Sequence, residues 1–246
     1  MSKPSGAIDM TRGKPINLML RFALPMMIGS IFQSLYSMVD SAVLGRFVGS
    51  HALAAIGATT STTGLILLLA TGVTSAISIV LSQYVGANDT DRVRKGIVAS
   101  GWITLLLGVV LGLISVFAAR PLMQLLKTPE DVIDMSVLYI QIVCGCGIAQ
   151  FAYNAAASIL RALGDSKTPL YFLILCSILN VILDLISVIG LNMGVAGVAV
   201  ATVGSQAISA VICILVMFRK YPNLMPKRHT LRPDMPVSYT HLTLPT

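Results

Sequence analysis

Apolar residues come in long runs along this chain, separated by five short places where polar residues, glycine and proline cluster. The runs cover 16–39, 52–80, 97–119, 132–159, 169–190 and 195–218. Each is long enough for a helix to cross a hydrocarbon core about 30 Å thick, which takes roughly 20 residues. The breaks between them read as turns: "GRFVGSH" (45–51), "GANDTDRVRK" (86–95), "RPLMQLLKTPED" (120–131), "RALGDSKTP" (161–169) and "GLNMG" (190–194). Strands of a closed barrel would be shorter and would alternate, so the pattern predicts helices. Gln141, Gln150 and Asn154 make the fourth run the most diluted. The expectation is an all-α integral membrane protein. A six-transmembrane-helix bundle would occupy 16–218, between an N-terminal segment 1–15 and a tail 219–246.

Composition agrees. Charged residues are 11% of the chain, against about 25% in soluble domains, and the mean hydropathy is +0.84. The first 14 residues are polar and no small-residue cleavage site follows, so the first run reads as a retained helix and not a secretory leader. Cys144, Cys146, Cys176 and Cys213 all fall within apolar runs and read as packing thiols. The net charge of +7 is explained by its placement. Alternate breaks and both termini collect fourteen of the 17 Lys and Arg residues on one side, leaving Arg46, Arg120 and Lys127 on the other. The positive-inside rule then predicts cytoplasmic termini, and nucleic acid is not needed as a partner.

Polar groups inside the runs carry the functional signal. An aspartate at mid-membrane costs about 2.5–3.5 kcal/mol on insertion scales and normally faces a bundle interior or a cavity. Asp40 and Asp184 are the candidates. Gln33, Tyr36 and Asp40 share one helix face by their three- and four-residue spacing. Asn180 and Asp184 share another, as do Thr202 with Gln206 and Gln150 with Asn154. Any one stripe reads equally well as a polar contact between helices, and Asp40 alone as an interfacial acid closing its helix. Four stripes together predict a common polar cavity. Two carboxylates with oxygens from Asn180 and Thr202 form a donor set for a hard cation such as sodium. Two adjacent acids in a low dielectric also repel, so one of them would take up a proton. A membrane potential drives either ion with about 2.3 kcal/mol per charge per 100 mV. Pro25 interrupts the first run and reads as a hinge or a static bend. "GVAGVAVATVG" (194–204) and "LAAIGATTSTTG" (53–64) present small residues for close helix approach.

Enzyme signatures do not emerge. The chain has no Walker A loop, H-E-x-x-H pair, nucleophile elbow or Cys–His pair, so neither an enzyme nor a resident cofactor is expected. His51 and Trp102 read as interfacial residues. Ser75, Ser78 and Ser82 read as a helix-packing row.

Three stretches carry a family resemblance: "RFALPMMIGSIFQSLYSMVDSAVLGRFVGSHALAAIG" (21–57), "QYVGANDTDRVRKG" (83–96) and "AAASILRALGDSKTPLYFLILCSILNVILDLISVIGLNMGVAGVAVATVGSQ" (155–206). Over roughly residues 10–225 the chain resembles the N-terminal half of the prokaryotic multidrug and toxic compound extrusion (MATE) transporters. The resemblance implies an antiporter of two six-helix lobes in a bacterial or archaeal plasma membrane. It would exchange amphipathic or cationic drugs for protons or sodium ions. It also implies that Asp40, Asn180, Asp184 and Thr202 form the ion site, with sodium as a possible metal there. Tyr36 and Asn154 would line the cavity, Pro25 would bend the first helix, and "RALGDSKTP" would be a cytoplasmic gating segment. Partners implied are the drug, membrane lipid and a missing C-terminal lobe. The tail "MPVSYTHLTLPT" does not resemble a linker to a seventh span, so a fragment with a non-native last ten or so residues is expected. A homodimer of half-transporters is another arrangement. Competing functions are a flippase for lipid-linked oligosaccharides or cell-wall precursors, which would need a cationic cavity, and a non-transporting membrane scaffold.

Overall fold

A computed structural model describes residues 15–224 of the chain. The tail 235–246 and the segment 1–14 lie outside the described residues. Seven α-helices follow one another: α1 (Pro15–Phe47), α2 (Ser50–Gly86), α3 (Thr90–Leu125), α4 (Glu130–Gly145), α5 (Ile148–Ala162), α6 (Lys167–Leu185) and α7 (Gly194–Lys220). A π-helical turn, Ile186–Gly190, extends α6, and a 3-10 turn, Pro222–Leu224, follows α7. Helices carry through much of the predicted breaks, because a turn needs only two to four residues that leave the helical conformation. Between α1 and α2, Gly49 adopts φ 115°, a conformation that costs glycine nothing. At the start of α3 the Asp89 carboxylate accepts a hydrogen bond from the Arg92 backbone N–H at 3.0 Å, and Asp91 adds favourable charge in the first turn. Pro121 sits inside α3, which runs on to Leu125 although the pattern placed a break from Arg120.

The expected fourth span, 132–159, is corrected. It is two helices, α4 and α5, bent by 44° at Cys146–Gly147. The Cβ that Gly112 lacks would stand 2.9 Å from the carbonyl oxygen of Gly145, so α3 and the end of α4 approach backbone to backbone. Gln141, which diluted this run, donates to the Val116 carbonyl of α3 at 3.2 Å. Cys144, Cys176 and Cys213 are buried as packing thiols, whereas Cys146 is exposed at the bend.

Among the described residues four helices are long and apolar enough to cross a membrane: α2, α3, α6 with its π turn, and α7. The bent α4–α5 pair passes the same test taken together and makes a fifth where the pair is one span. Among the described residues the test of length and apolarity thus reaches four or five spans against the six expected. α1 is 33 residues long, and Ser30, Gln33, Ser34, Tyr36, Ser37, Asp40 and Ser41 lie among its apolar positions. The result is an all-α, multi-pass membrane fold.

Three buried clusters hold the two ends. At the end bearing Arg92, Arg94, Lys95 and Lys220, here the basic end, Ile77, Leu81, Val93, Ile97, Ile159, Leu160, Cys213 and Met217 pack together from α2, α3, α5 and α7. At the other end, Val43, Leu44, Ala52, Val188, Val195 and Val198 join α1, α2, the π turn and α7, while Ala119, Met123, Val137, Ile140 and Cys144 join α3 to α4. Ser136 links α4 to α2: its hydroxyl lies 3.0 Å from the Ala55 carbonyl of α2 and 3.0 Å from the Val132 carbonyl of its own helix, and shares its proton between them. At the surface of the second end His51 Nδ1 lies in hydrogen-bond contact with Asp131 at 3.1 Å, and Arg120 forms an ion pair with Asp134.

Candidate functional site

α6 packs between α1 and α7, and this arrangement decides which polar stripes meet. Asn180 and Asp184, four residues apart on α6, are 1% and 0% exposed. Thr202 of α7 is buried opposite, and its hydroxyl oxygen accepts a long hydrogen bond from Asn180 Nδ2 at 3.5 Å. From the other flank, the Asp40 carboxyl of α1 lies within interaction range of that of Asp184. The structure thus brings together all four residues of the predicted site.

Burial leaves several of their oxygens unanswered. Asp40 Oδ1, Asn180 Oδ1 and both carboxyl oxygens of Asp184 are buried and receive no hydrogen bond from any described residue. Buried polar groups without a partner are rare and call for an explanation. A proton held between the two carboxyls would answer them. So would a cation taking carboxylate, amide and hydroxyl oxygens, which is the ligand chemistry of a hard ion. Among the described residues no three His, Cys, Asp or Glu side chains gather as a metal site. Any ion here would therefore be held by this mixed oxygen set and not by a cluster of acids.

The predicted lining residues are placed unevenly. Tyr36 is half-buried on α1, within electrostatic reach of Asp40, and Gln33 lies one turn away on an exposed position. Gln206 is half-buried on α7, one turn beyond Thr202. Asn154 turns back on its own helix, donating to the Gln150 carbonyl at 2.9 Å. Among the described residues, no hydrogen bond links Asn154 or Gln206 to the acid pair. Pro25 lies within the continuous α1, about four turns from Asp40.

Two features escaped the sequence pattern. Tyr139 of α4 stands within electrostatic reach of Asp40, Tyr36 and Asp184, adding a fourth helix wall. Its neighbours in sequence are apolar, so no polar stripe marked it. The π turn Ile186–Gly190 begins two residues after Asp184; such turns often accompany functional sites because they re-aim nearby groups.

A second polar centre lies at the basic end. Asp165, fully buried in the α5–α6 turn, accepts hydrogen bonds from Lys220 Nζ at 2.6 Å, the Thr168 hydroxyl at 2.7 Å and the Thr168 backbone N–H at 3.0 Å. The Tyr221 hydroxyl donates to it at 3.3 Å. Burial alone would raise the Asp165 carboxyl, but the Lys220 and Thr168 bonds outweigh it and hold the group below its ordinary value. Burial, with Asp165 alongside, raises the Tyr221 phenol.

Helices of this length and apolarity around a buried acid–amide cluster define a multi-pass membrane protein with a polar site inside it. Comparison with known proteins is specific about which kind. The MatE family model matches residues 25–186, and the chain belongs to that family. The chain is 34% identical over 205 residues to Probable multidrug resistance protein YpnP of Bacillus subtilis (strain 168), covering 82% of this chain and 46% of the relative. YoeA of the same organism, also a probable multidrug resistance protein, is 31% identical over 220 residues, covering 88% and 46%. A solved outward-facing conformation of a multidrug resistance MATE family transporter superposes with TM-score 0.90 at 25% identity, covering 98% of this chain and 53% of that one. MATE crystal structures described as straight and bent conformations give 0.79 and 0.80, at 26% identity. The chain spans about half the length of the curated relatives it matches. The family's members are transporters and not enzymes.

Proposed function

We propose that this chain forms one six-helix lobe of a secondary active antiporter that exports amphipathic or cationic drugs in exchange for protons or sodium ions. The observation that carries the reading is the meeting of Asp40, Asn180, Asp184 and Thr202 from three helices, with buried oxygens that no described donor satisfies. The relatives' names as multidrug resistance proteins point to drugs as the exported class. In this reading α1 and the bent α4–α5 pair complete the six spans, and a second lobe supplies the other half of the pathway. The basic end faces the cytoplasm of a bacterial plasma membrane, since that end holds most of the Lys and Arg residues.

The coupling follows from charge. Two carboxylates side by side in low dielectric are costly unless a proton or cation joins them. An ion entering from the opposite end, down its gradient, would draw Asp40 of α1 toward Asp184 of α6. Its release would let the two separate. Because Asp40 rides on α1, ion binding biases the position of that helix, and Pro25 is where α1 lacks a backbone donor and bends most easily. Related structures in straight and bent conformations support such a motion. An acidic cluster also disfavours a flippase, whose pyrophosphate cargo needs cationic walls.

The test uses the full-length protein. Expressed in a drug-sensitive strain, it should lower accumulation of a fluorescent cationic drug. Asp40→Asn and Asp184→Asn should reach the membrane in equal amount and lose most of that effect. Undiminished efflux in both variants would sink the coupling role.

A further inference from the structure

A cavity of about 540 Å³ lies at the basic half of the bundle, away from the acid pair, walled by α3, α5 and α7. Val98, Gly101, Trp102 and Leu105 form its α3 wall, Ala152 belongs to the α5 wall, and Phe218 to the α7 wall. The volume is that of a pocket for a small organic group. It adjoins the exposed face of α3, where Leu105, Leu106, Val109, Val110, Leu113, Ile114 and Phe117 are all apolar. The exposed surface of α1 is mixed, with Ser30, Gln33, Ser34, Ser37 and Ser41 beside Met27, Ile31, Leu35 and Met38. The wholly apolar row on α3 suits hydrocarbon.

Cations mark the groove's open end. Lys95 precedes Val98 by three residues and Trp102 by seven, and Arg94 precedes Val98 by four and Gly101 by seven. Both therefore share the groove face of α3, one turn nearer the membrane surface. Arg94 is fixed there by bonds to the Asn223 carbonyl at 2.6 and 3.1 Å, which join α3 to the turn after α7, and by an exposed acid, Asp91, at 3.5 Å, so the pair Arg94 and Lys95 brings a net single positive charge against Asp91. Arg219 adds charge in the last turn of α7. An apolar slot with cations at its membrane-surface end is complementary to one kind of molecule: a lipid with acyl chains and an anionic headgroup.

We infer that the α3–α5–α7 groove is a binding site for an anionic phospholipid, which lays an acyl chain against Gly101 and Trp102 and sets its headgroup by Arg94 and Lys95. The site stands apart from the coupling reading and does not depend on it. Thr104 lines the same groove with a buried hydroxyl that has no described partner. A hydrocarbon chain asks nothing of that hydroxyl, which provides a discriminating variant.

Trp102 is the chain's single tryptophan, so its fluorescence reports the groove directly. The chain is reconstituted in phosphatidylcholine vesicles containing increasing fractions of phosphatidylglycerol with brominated acyl chains, and in parallel of brominated phosphatidylcholine. Brominated phosphatidylglycerol should half-quench Trp102 at roughly one fifth of the mole fraction needed for phosphatidylcholine, as expected for one effective cation. Lys95→Gln should shrink the preference. Gly101→Leu should abolish it, because a side chain at Gly101 meets no atom within 4 Å and projects into the groove. Should that variant fail to fold, Ala152→Phe fills the groove from α5 with the same expected loss. Thr104→Val should leave quenching unchanged. Equal quenching by the two lipids, or a preference that survives the filling variants, overturns the site. A preference lost in Thr104→Val overturns the acyl-chain occupant in favour of a hydrogen-bonding ligand.

Discussion

Lys220 Nζ lies 2.6 Å from Asp165 Oδ2, fastening the last turn of α7 to the turn that precedes α6. The partners differ in burial: the Asp165 side chain is 1% exposed and that of Lys220 25%. The two ends of the pair should therefore respond differently to mutation. Lys220→Met strands a buried carboxylate, and breaking such a pair costs about 3–5 kcal/mol. Asp165→Asn keeps an acceptor for the Thr168 N–H and frees a lysine that can reach water. It should cost less than half as much, read as the shift in thermal unfolding of the detergent-solubilised chain.

The same pair sets an acid limit. The folded Asp165 carboxyl titrates below its ordinary 3.8, held down against burial by Lys220 and Thr168. Its contribution is complete above that ordinary value and disappears as pH falls through the lower folded value. Unfolding temperature measured from pH 5 downward should drop more steeply below about pH 3.8 in the native chain than in Asp165→Asn. Parallel curves would remove Asp165 from the explanation.

Glycines should separate into two groups. At Gly112 an added methyl meets the Gly145 carbonyl at 2.9 Å, and backbone cannot step aside. Gly112→Ala should lose about 1–3 kcal/mol as overpacking. At Gly64, in the exposed face of α2, nothing lies within 4 Å. Gly64→Ala should be neutral or gain up to about 1 kcal/mol from helix propensity. Chemical denaturation of both variants decides it.

Within the acid–amide cluster, Thr202→Val preserves shape and removes the acceptor for Asn180 Nδ2. The loss of one hydrogen bond, about 1 kcal/mol, should leave the fold intact. In the full-length protein, drug efflux should fall several-fold, and by less than in Asp184→Asn. A variant as active as the parent would exclude Thr202 from the ion site.

Hydropathy made the crossing helices legible because lipid demands long apolar runs, and the turns showed because Gly, Asn and Asp gather at them. The break at Cys146–Gly147 left no such mark. The residues around it are apolar, and hydropathy registers solvent preference and not backbone direction. Spacing placed Asn180 with Asp184 on one face, but the identity of the facing helix is a tertiary fact. Asp40 and Thr202 come to the Asn180–Asp184 face from two other helices, while the Asn154 amide bonds its own helix. Tyr139 was invisible because a lone phenol in an apolar helix has no stripe. Lys220 was read as one of many surface cations, and only the packing of α7 against the α5–α6 turn shows that it reaches a buried acid.

The bend between α4 and α5 divides the lobe's packing as well as its path. α4 belongs to the core with Ala119 and Met123, and α5 to the core with Ile77, Ile97 and Met217. The two are joined by a turn whose backbone bonds, from Cys146, Gly147 and Ala149, are all local. That joint rests on α3, where a Cβ at Gly108 or Gly112 would stand 3.0 Å from the Ile148 Cα or 2.9 Å from the Gly145 carbonyl oxygen. The continuous α3 contributes to both cores, so it is the splint that holds the two halves of the bent span in one body.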